Sequence, residues 1–188
     1  MRGAVVWILG LPSAGKSTLA SRLAGRMREE GIPVLLLDGD EVRGALDPAP
    51  GFDESARAAF YRTLARLAAL AARQGMVAIV AATSNRRVHR EEARRHWPEL
   101  LEVFVDVPLE ECERRDAKGL YAKARRGEAP SLPGVGDTFE PPEAPDIRAA
   151  GGEDPTVVAE IANRLGAARL AQDVTPLTPS SSASPRSP

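Results

Sequence analysis

Residues 4–18, Ala-Val-Val-Trp-Ile-Leu-Gly-Leu-Pro-Ser-Ala-Gly-Lys-Ser-Thr, decide the reading of this chain. The first six, AVVWIL, form an unbroken apolar run, the pattern of a strand buried on both faces of a parallel sheet. Gly10 breaks the run, and Gly10 to Ser17 spell G-x-x-x-x-G-K-S in full. From Lys16 to about residue 30 the apolar residues Leu19, Leu23 and Met27 recur at helical spacing. A strand, a glycine-rich loop and a helix in that order make a cradle for phosphate. Backbone N–H groups turn inward around the anion, and the helix N-terminus adds a favourable dipole. In such a loop Lys16 bridges the β- and γ-phosphates and Ser17 sets its hydroxyl on Mg²⁺. The motif establishes nucleotide-phosphate binding and leaves the phosphate's destination open.

Outward from that loop, strands and helices alternate. Residues 34–37 read as a second buried strand running into Asp38-Gly39-Asp40, residues 53–74 as a helix closed by Gly75, and 76–81 as a third strand. Residues 88–97 read as a charged, solvent-facing helix carrying His89 and His96 at the surface. Strand 101–106, a helix from Pro108 to about 116, a short strand at 147–149 and a helix at about 154–165 complete the pattern. Alternation of this kind implies right-handed βαβ units. The expected fold is a three-layer α/β/α domain of the P-loop NTPase type, with a parallel sheet of about five strands. The kinase domain is expected over residues 1–170. The Ser/Pro-rich segment 171–188 has no hydrophobic period and is expected to be a disordered tail. Residues 127–145, GEAPSLPGVGDTFEPPEAP, read as a lid loop, either ordered or flexible.

Composition narrows the setting. The 188 residues hold 25 Lys+Arg against 26 Asp+Glu, a net charge of -1 that argues against a dedicated nucleic-acid binder. Cys112 is the sole cysteine, which excludes an intrachain disulfide or a cysteine-built zinc cage. No apolar stretch approaches ~20 residues, so no membrane span is expected, and the reading is a cytoplasmic one. Only three lysines occur, Lys16, Lys118 and Lys123, among many arginines. Where arginine has replaced lysine so widely, each survivor becomes a candidate for chemistry that needs an ammonium.

Asp38 and Asp40 close the second strand, at the carboxyl edge where open α/β sheets hold their ligands. A carboxylate there can hold the Mg²⁺ shell through water or accept a proton from an attacking hydroxyl. Arg43 follows, an anion clamp close behind a proton acceptor. That pairing suits a small-molecule kinase better than an ATPase that positions water.

With those residues in place the chain resembles the adenylylsulfate kinase family. The resemblance rests on GLPSAGKST (10–18), LLLDGDEVRGAL (35–46), GFDESAR (51–57), VFVDVPLEECERRDAKGLYAKARRGE (103–128) and PPEAPDI (141–147). It implies Mg²⁺ with ATP as co-substrate and phosphorylation of the ribose 3′-hydroxyl of adenylyl sulfate. By this resemblance Gly10, Ser13, Ala14, Gly15, Lys16, Ser17 and Thr18 hold the ATP phosphates, and Arg115 packs near the ATP base. Asp40 is the acidic residue beside the acceptor, with Asp38 helping to hold the metal through water. Arg43 and Arg57 grip the acceptor's anionic groups, Phe52 stacks on its adenine, and Lys123 lies in the segment that closes over both nucleotides. Ser84 falls where a phosphoserine intermediate is sometimes assigned, although in-line transfer needs no enzyme-bound phosphate. Similar enzymes are usually dimers, so a homodimer stays open; no stretch marks an interface. The sequence departs from the family's usual wording at Glu41, at Phe60, where an Asn is typical, at Ala81–Asn85 and at Leu132-Pro133-Gly134. All these lie around the acceptor, so another small hydroxyl acceptor (a nucleotide, sugar or metabolite) stays open as the alternative.

Overall fold

The computed structural model describes residues 3–116 and 118–173, with side chains described as far as residue 167. Five parallel strands form one sheet in the order β2-β3-β1-β4-β5. They are β1 (Ala4–Leu9), β2 (Val34–Asp38), β3 (Val77–Ala81), β4 (Leu101–Val105) and β5 (Ile147–Ala149). The helices between them are α1 (Lys16–Glu29), α2 (Gly39–Ala45), α3 (Glu54–Arg73), α4 (Arg87–His96), α5 (Leu109–Arg115), α6 (Leu120–Arg125) and α7 (Pro155–Asp173).

The period-2 alternation of a strand explains the unbroken apolar run of β1. Val6 and Ile8 pack into one core with Leu19 and Leu23 of α1 and Ile161 of α7. Val5, Trp7 and Leu9 face the other way, into a second core with Leu64 of α3 and Trp97. Both faces of the central strand are covered, so every position must be apolar. β2 is different. It stands at the sheet's edge beside β3 alone, and four of its five residues are only partly buried, so it is an edge strand rather than the fully buried one its apolar run suggests.

Two short helices were invisible to periodicity. α2 begins directly at the Asp38-Gly39-Asp40 stretch that reads as a strand end, because the Asp38 carboxylate caps it by accepting the Asp40 N–H at 2.9 Å. α6 lies within the basic run that follows Gly119. The helix read as solvent-facing is only partly so. His89, Arg90 and Ala93 of α4 are buried, with Arg90 facing the buried Glu102 of β4 at 3.8 Å. Buried charge is tolerated there because it is paired. His89 is therefore a buried residue, stacked on Tyr61 at 4.3 Å between ring centroids. Desolvation and the nearby Arg57 lower its pKa to about 4. Helix α7 runs on to Asp173, beyond the expected limit at 165. The rest of the expected tail, residues 174–188, lies outside the described residues.

The 127–145 segment is tied to the start of α4. Asn85 donates to Asp137 Oδ2 at 2.8 Å, Arg86 pairs with Asp137 Oδ1 at 2.6 Å, and the Arg87 N–H donates to Glu140 at 2.6 Å. Among the described residues no helix is long and apolar enough to cross a membrane.

Candidate active site

The carboxyl ends of β1, β2 and β3 open into a cleft of about 1020 Å³. Its floor is the loop between β1 and α1. Gly15 there has φ 104, and a Cβ on it would come within 2.7 Å of the Gly152 backbone N. Only glycine allows both the left-handed turn and so close an approach of the β5–α7 connection. Ser13 also sits at positive φ (61°) within this tight loop. Gly10 and Ala14 shape the loop from beneath and do not line the cleft. Ala14 is wholly buried, and its carbonyl accepts a bond from Arg115 at 3.4 Å.

Lys16 folds back and donates from Nζ to the Leu11 carbonyl at 2.7 Å. Desolvation lowers its pKa to about 8, against the opposing pull of Asp40. An ammonium held this way is poised for phosphate, which replaces one carbonyl partner with formal negative charge. Ser17 Oγ donates to Asp38 Oδ2 at 2.5 Å. A hydroxyl and a carboxylate converging in this way are the hard oxygen donors a Mg²⁺ ion takes, directly or through water. The residues present therefore fit that ion.

Asp40 meets Lys118 across the cleft mouth, Oδ2 to Nζ at 2.5 Å. Hydrogen bonding to Asp40 raises the Lys118 pKa. Both side chains are more than half exposed, so the pair adds little to stability; its interest lies in where it puts two opposite charges. Deeper in, Arg43 lies 4.0 Å from the Phe60 ring centroid and 4.4 Å from that of Phe52. Its Nη1 donates to the Pro50 and Gly51 carbonyls at 2.8 and 2.7 Å. Arg57 is buried, and its fork joins two segments distant in sequence. Nε donates to the Phe52 carbonyl at 2.7 Å and Nη2 to the Ser131 carbonyl at 2.6 Å. Arg115 pairs with Glu111 at 2.9 Å at the loop's other side.

Ser13, Gly15, Lys16, Ser17, Thr18, Asp38, Asp40, Arg43, Phe52, Arg57 and Arg115 thus line one cleft. Besides Gly10 and Ala14, two further expected site residues do not. Ser84 is fully buried. Its Oγ accepts the Trp7 indole N–H at 2.8 Å, and its own N–H donates to the Tyr61 hydroxyl at 2.9 Å. A serine so placed ties β1 to α3 and is closed off from the cleft. Lys123 is exposed on α6 and is absent from the cleft's lining. The second lysine that reaches the cleft, beside Lys16, is Lys118, for which the only signal in the sequence was the scarcity of lysine. Residues 128–133, within the segment read as a lid loop, also line it, as do Tyr61 and the Gly152-Glu153 pair, which no local pattern marked.

The sequence profile of the family described as "Adenylylsulphate kinase" matches residues 2–150. The chain belongs to the adenylylsulphate kinase family. It is 48% identical over 147 residues to the adenylyl-sulfate kinase of Paraburkholderia xenovorans (strain LB400), covering 78% of this chain and 82% of that one. To the adenylyl-sulfate kinase of Synechococcus sp. (strain JA-2-3B'a(2-13)) it is 45% identical over 146 residues, covering 78% and 83%. Among solved structures, the Mycobacterium tuberculosis APS kinase CysC, in complex with AMPPNP and APS, superposes with a TM-score of 0.83 at 38% identity, covering 88% of this chain and 98% of that one. Membership of the adenylylsulphate kinase family makes this chain an ATP-dependent phosphotransferase, and its parallel five-strand sheet is the fold of that family.

Proposed function

We propose that this chain transfers the γ-phosphoryl group of ATP to the 3′-hydroxyl of adenylyl sulfate. The observation that carries the reading is the Asp40 carboxylate. It stands just beyond β2, in one cleft with Lys16 and with the Ser17–Asp38 pair, and an ammonium from Lys118 is set against it.

The residues take roles that follow from their chemistry. Backbone amides of 13–18 cradle the phosphates, and Lys16 neutralises charge growing on the β–γ bridge as its bond breaks. Ser17 and Asp38 would hold Mg²⁺, which when bound would further neutralise the phosphate oxygens. Asp40 orients the ribose 3′-hydroxyl and takes its proton. The hydroxyl oxygen forms a bond to the γ-phosphorus, the bond from that phosphorus to the bridging oxygen breaks, and ADP leaves with the bridging oxygen. Lys118, paired with Asp40 at the cleft mouth, is placed to meet the acceptor's anionic groups. Arg43 and Arg57 bring guanidinium forks suited to sulfate and phosphate oxygens. Phe52, whose side chain is exposed in the cleft, offers a face for the acceptor's purine. Arg115 flanks the ATP base.

The test is a turnover assay with Mg·ATP and adenylyl sulfate, following ADP and 3′-phosphorylated product, beside a panel of nucleotides, sugars and simple alcohols. Product from adenylyl sulfate is expected. Turnover confined to acceptors without sulfate would discard the assignment.

A further inference from the structure

The phosphate loop is gripped from behind. Three carbonyls of the turn are engaged. That of Leu11 accepts from the Ala14 N–H at 3.2 Å and from Lys16 Nζ at 2.7 Å. That of Ala14 accepts from Arg115 of α5 at 3.4 Å. The Pro12 carbonyl accepts from the Tyr121 hydroxyl of α6 at 3.0 Å, a bond between residues 109 positions apart. Tyr121 is 2% exposed and is not among the described residues that line the cleft, whereas Pro12 and Ser13 are. The Asp116 carboxylate fixes the start of α6, accepting the Tyr121 and Ala122 N–H groups at 3.1 and 3.0 Å.

Peptide geometry carries that grip to the phosphates. The Pro12–Ser13 bond is trans, so its carbonyl and its N–H point in opposite directions. A carbonyl drawn toward the buried Tyr121 therefore turns the Ser13 N–H toward the cleft. That N–H meets no acceptor among the described residues, which leaves it for a phosphate oxygen. Ser13 holds this orientation at φ 61, a left-handed conformation that a residue with a Cβ adopts less readily than glycine does. The turn thus needs an outside hold, and α6 provides one. We propose that Tyr121 is a positioning residue for phosphoryl transfer: its hydroxyl, by holding the Pro12 carbonyl, keeps Ser13 in the left-handed turn with its N–H aimed at the nucleotide's phosphates. The proposal rests on residues 13–18 being the phosphate cradle and is independent of which acceptor is used.

The experiment is calorimetric titration of the full chain with Mg·ADP, in the wild type, Tyr121→Phe, Ser13→Gly and the double variant. Tyr121→Phe removes one hydroxyl and is expected to raise the Kd for Mg·ADP by about tenfold, the scale of one lost hydrogen bond. Glycine at position 13 needs no hold, so the same change made in the Ser13→Gly background is expected to cost less than about threefold. A contact that merely packs α6 against the loop costs the same in both backgrounds, and that result overturns the inference. So does an unchanged Kd in Tyr121→Phe. If Tyr121→Phe does not fold with Ser13 in place, folding restored by Ser13→Gly supports the coupling. Failure to fold in both backgrounds overturns it, because the hydroxyl then serves the core. No acceptor enters the measurement, so adenylyl sulfate failing as a substrate leaves the inference standing. Wild-type protein without affinity for Mg·ADP removes the cradle and the inference together.

Discussion

The two ends of the cleft are made in different ways. At one end stands a single run of chain, residues 10–18, the proposed phosphate cradle, whose working parts are mostly backbone amides plus one ammonium. At the other end, the proposed acceptor side, the cleft is lined by side chains from α2, the loop before α3, α3 itself and the 127–145 segment, joined by the Arg57 fork across 74 positions of sequence. The difference teaches where substitution is tolerated. A backbone cradle demands glycine at Gly15 and a cation at Lys16. A wall of side chains can exchange members while keeping its shape; of the departures, Phe60 and Ala81 to Thr83 line the cleft, whereas Glu41, Ser84 and Asn85 do not.

The comparison can be broken most severely at the cradle. Lys16→Ala is expected to lower kcat by ~10³-fold or more, since phosphoryl transfer is catalysed almost wholly by positioning and charge. ADP affinity measured calorimetrically should fall far less; equal losses would mean that Lys16 serves binding alone. At the junction of the two ends, Asp40→Asn is expected to lower kcat by ~10²-fold or more while leaving the KM for ATP nearly unchanged. Unaltered turnover would remove Asp40 from the proton-accepting role.

On the acceptor side, Arg57→Ala strands two carbonyls, those of Phe52 and Ser131. The expected loss is about 1–3 kcal/mol of stability, with a higher acceptor KM and faster amide exchange across residues 129–133. Wild-type exchange in that variant would show the fork to be idle. A pH series tests the cradle more gently. Burial sets the Lys16 pKa near 8 in the empty enzyme. The ammonium is therefore present below that pH and lost as pH rises through it. The kcat/KM for ATP, which reports the free enzyme, should be level below pH 8 and about tenfold lower by pH 9. A profile flat through pH 10 contradicts that depressed value. The smallest effect belongs to the lid's outer tie. Arg86→Ala removes a partly exposed pair with Asp137 and should cost under about 1 kcal/mol, read as salt-sensitive exchange in residues 134–141.

Much of the fold was legible because its signals are local. The run AVVWIL announced a doubly covered strand, and α3, with Asp53 at its N-cap accepting the Ala56 N–H, carried a clear helical period. The short helices α2 and α6 escaped because neither spans two full turns of apolar spacing. α4 was read as exposed because Arg90 and His89 look like surface residues, and only their partners Glu102 and Tyr61, elsewhere in the chain, make burial tolerable. In the site, GLPSAGKS and Asp38-Gly39-Asp40 were found by their spacing. Ser84 entered the candidates through the family resemblance alone. Nothing near it in sequence says that Trp7 and Tyr61 already engage its hydroxyl and its N–H.

By itself the sequence determined that this protein binds nucleotide phosphates on a parallel α/β sheet, because a phosphate cradle is a property of consecutive backbone units and a buried strand is a property of consecutive side chains. Tertiary structure decided which lysine faces Asp40, which serine is walled in, and how Arg43 came to lie between Phe52 and Phe60. Those are contacts between segments far apart in the chain, and their geometry exists only after the sheet and its covering helices have packed.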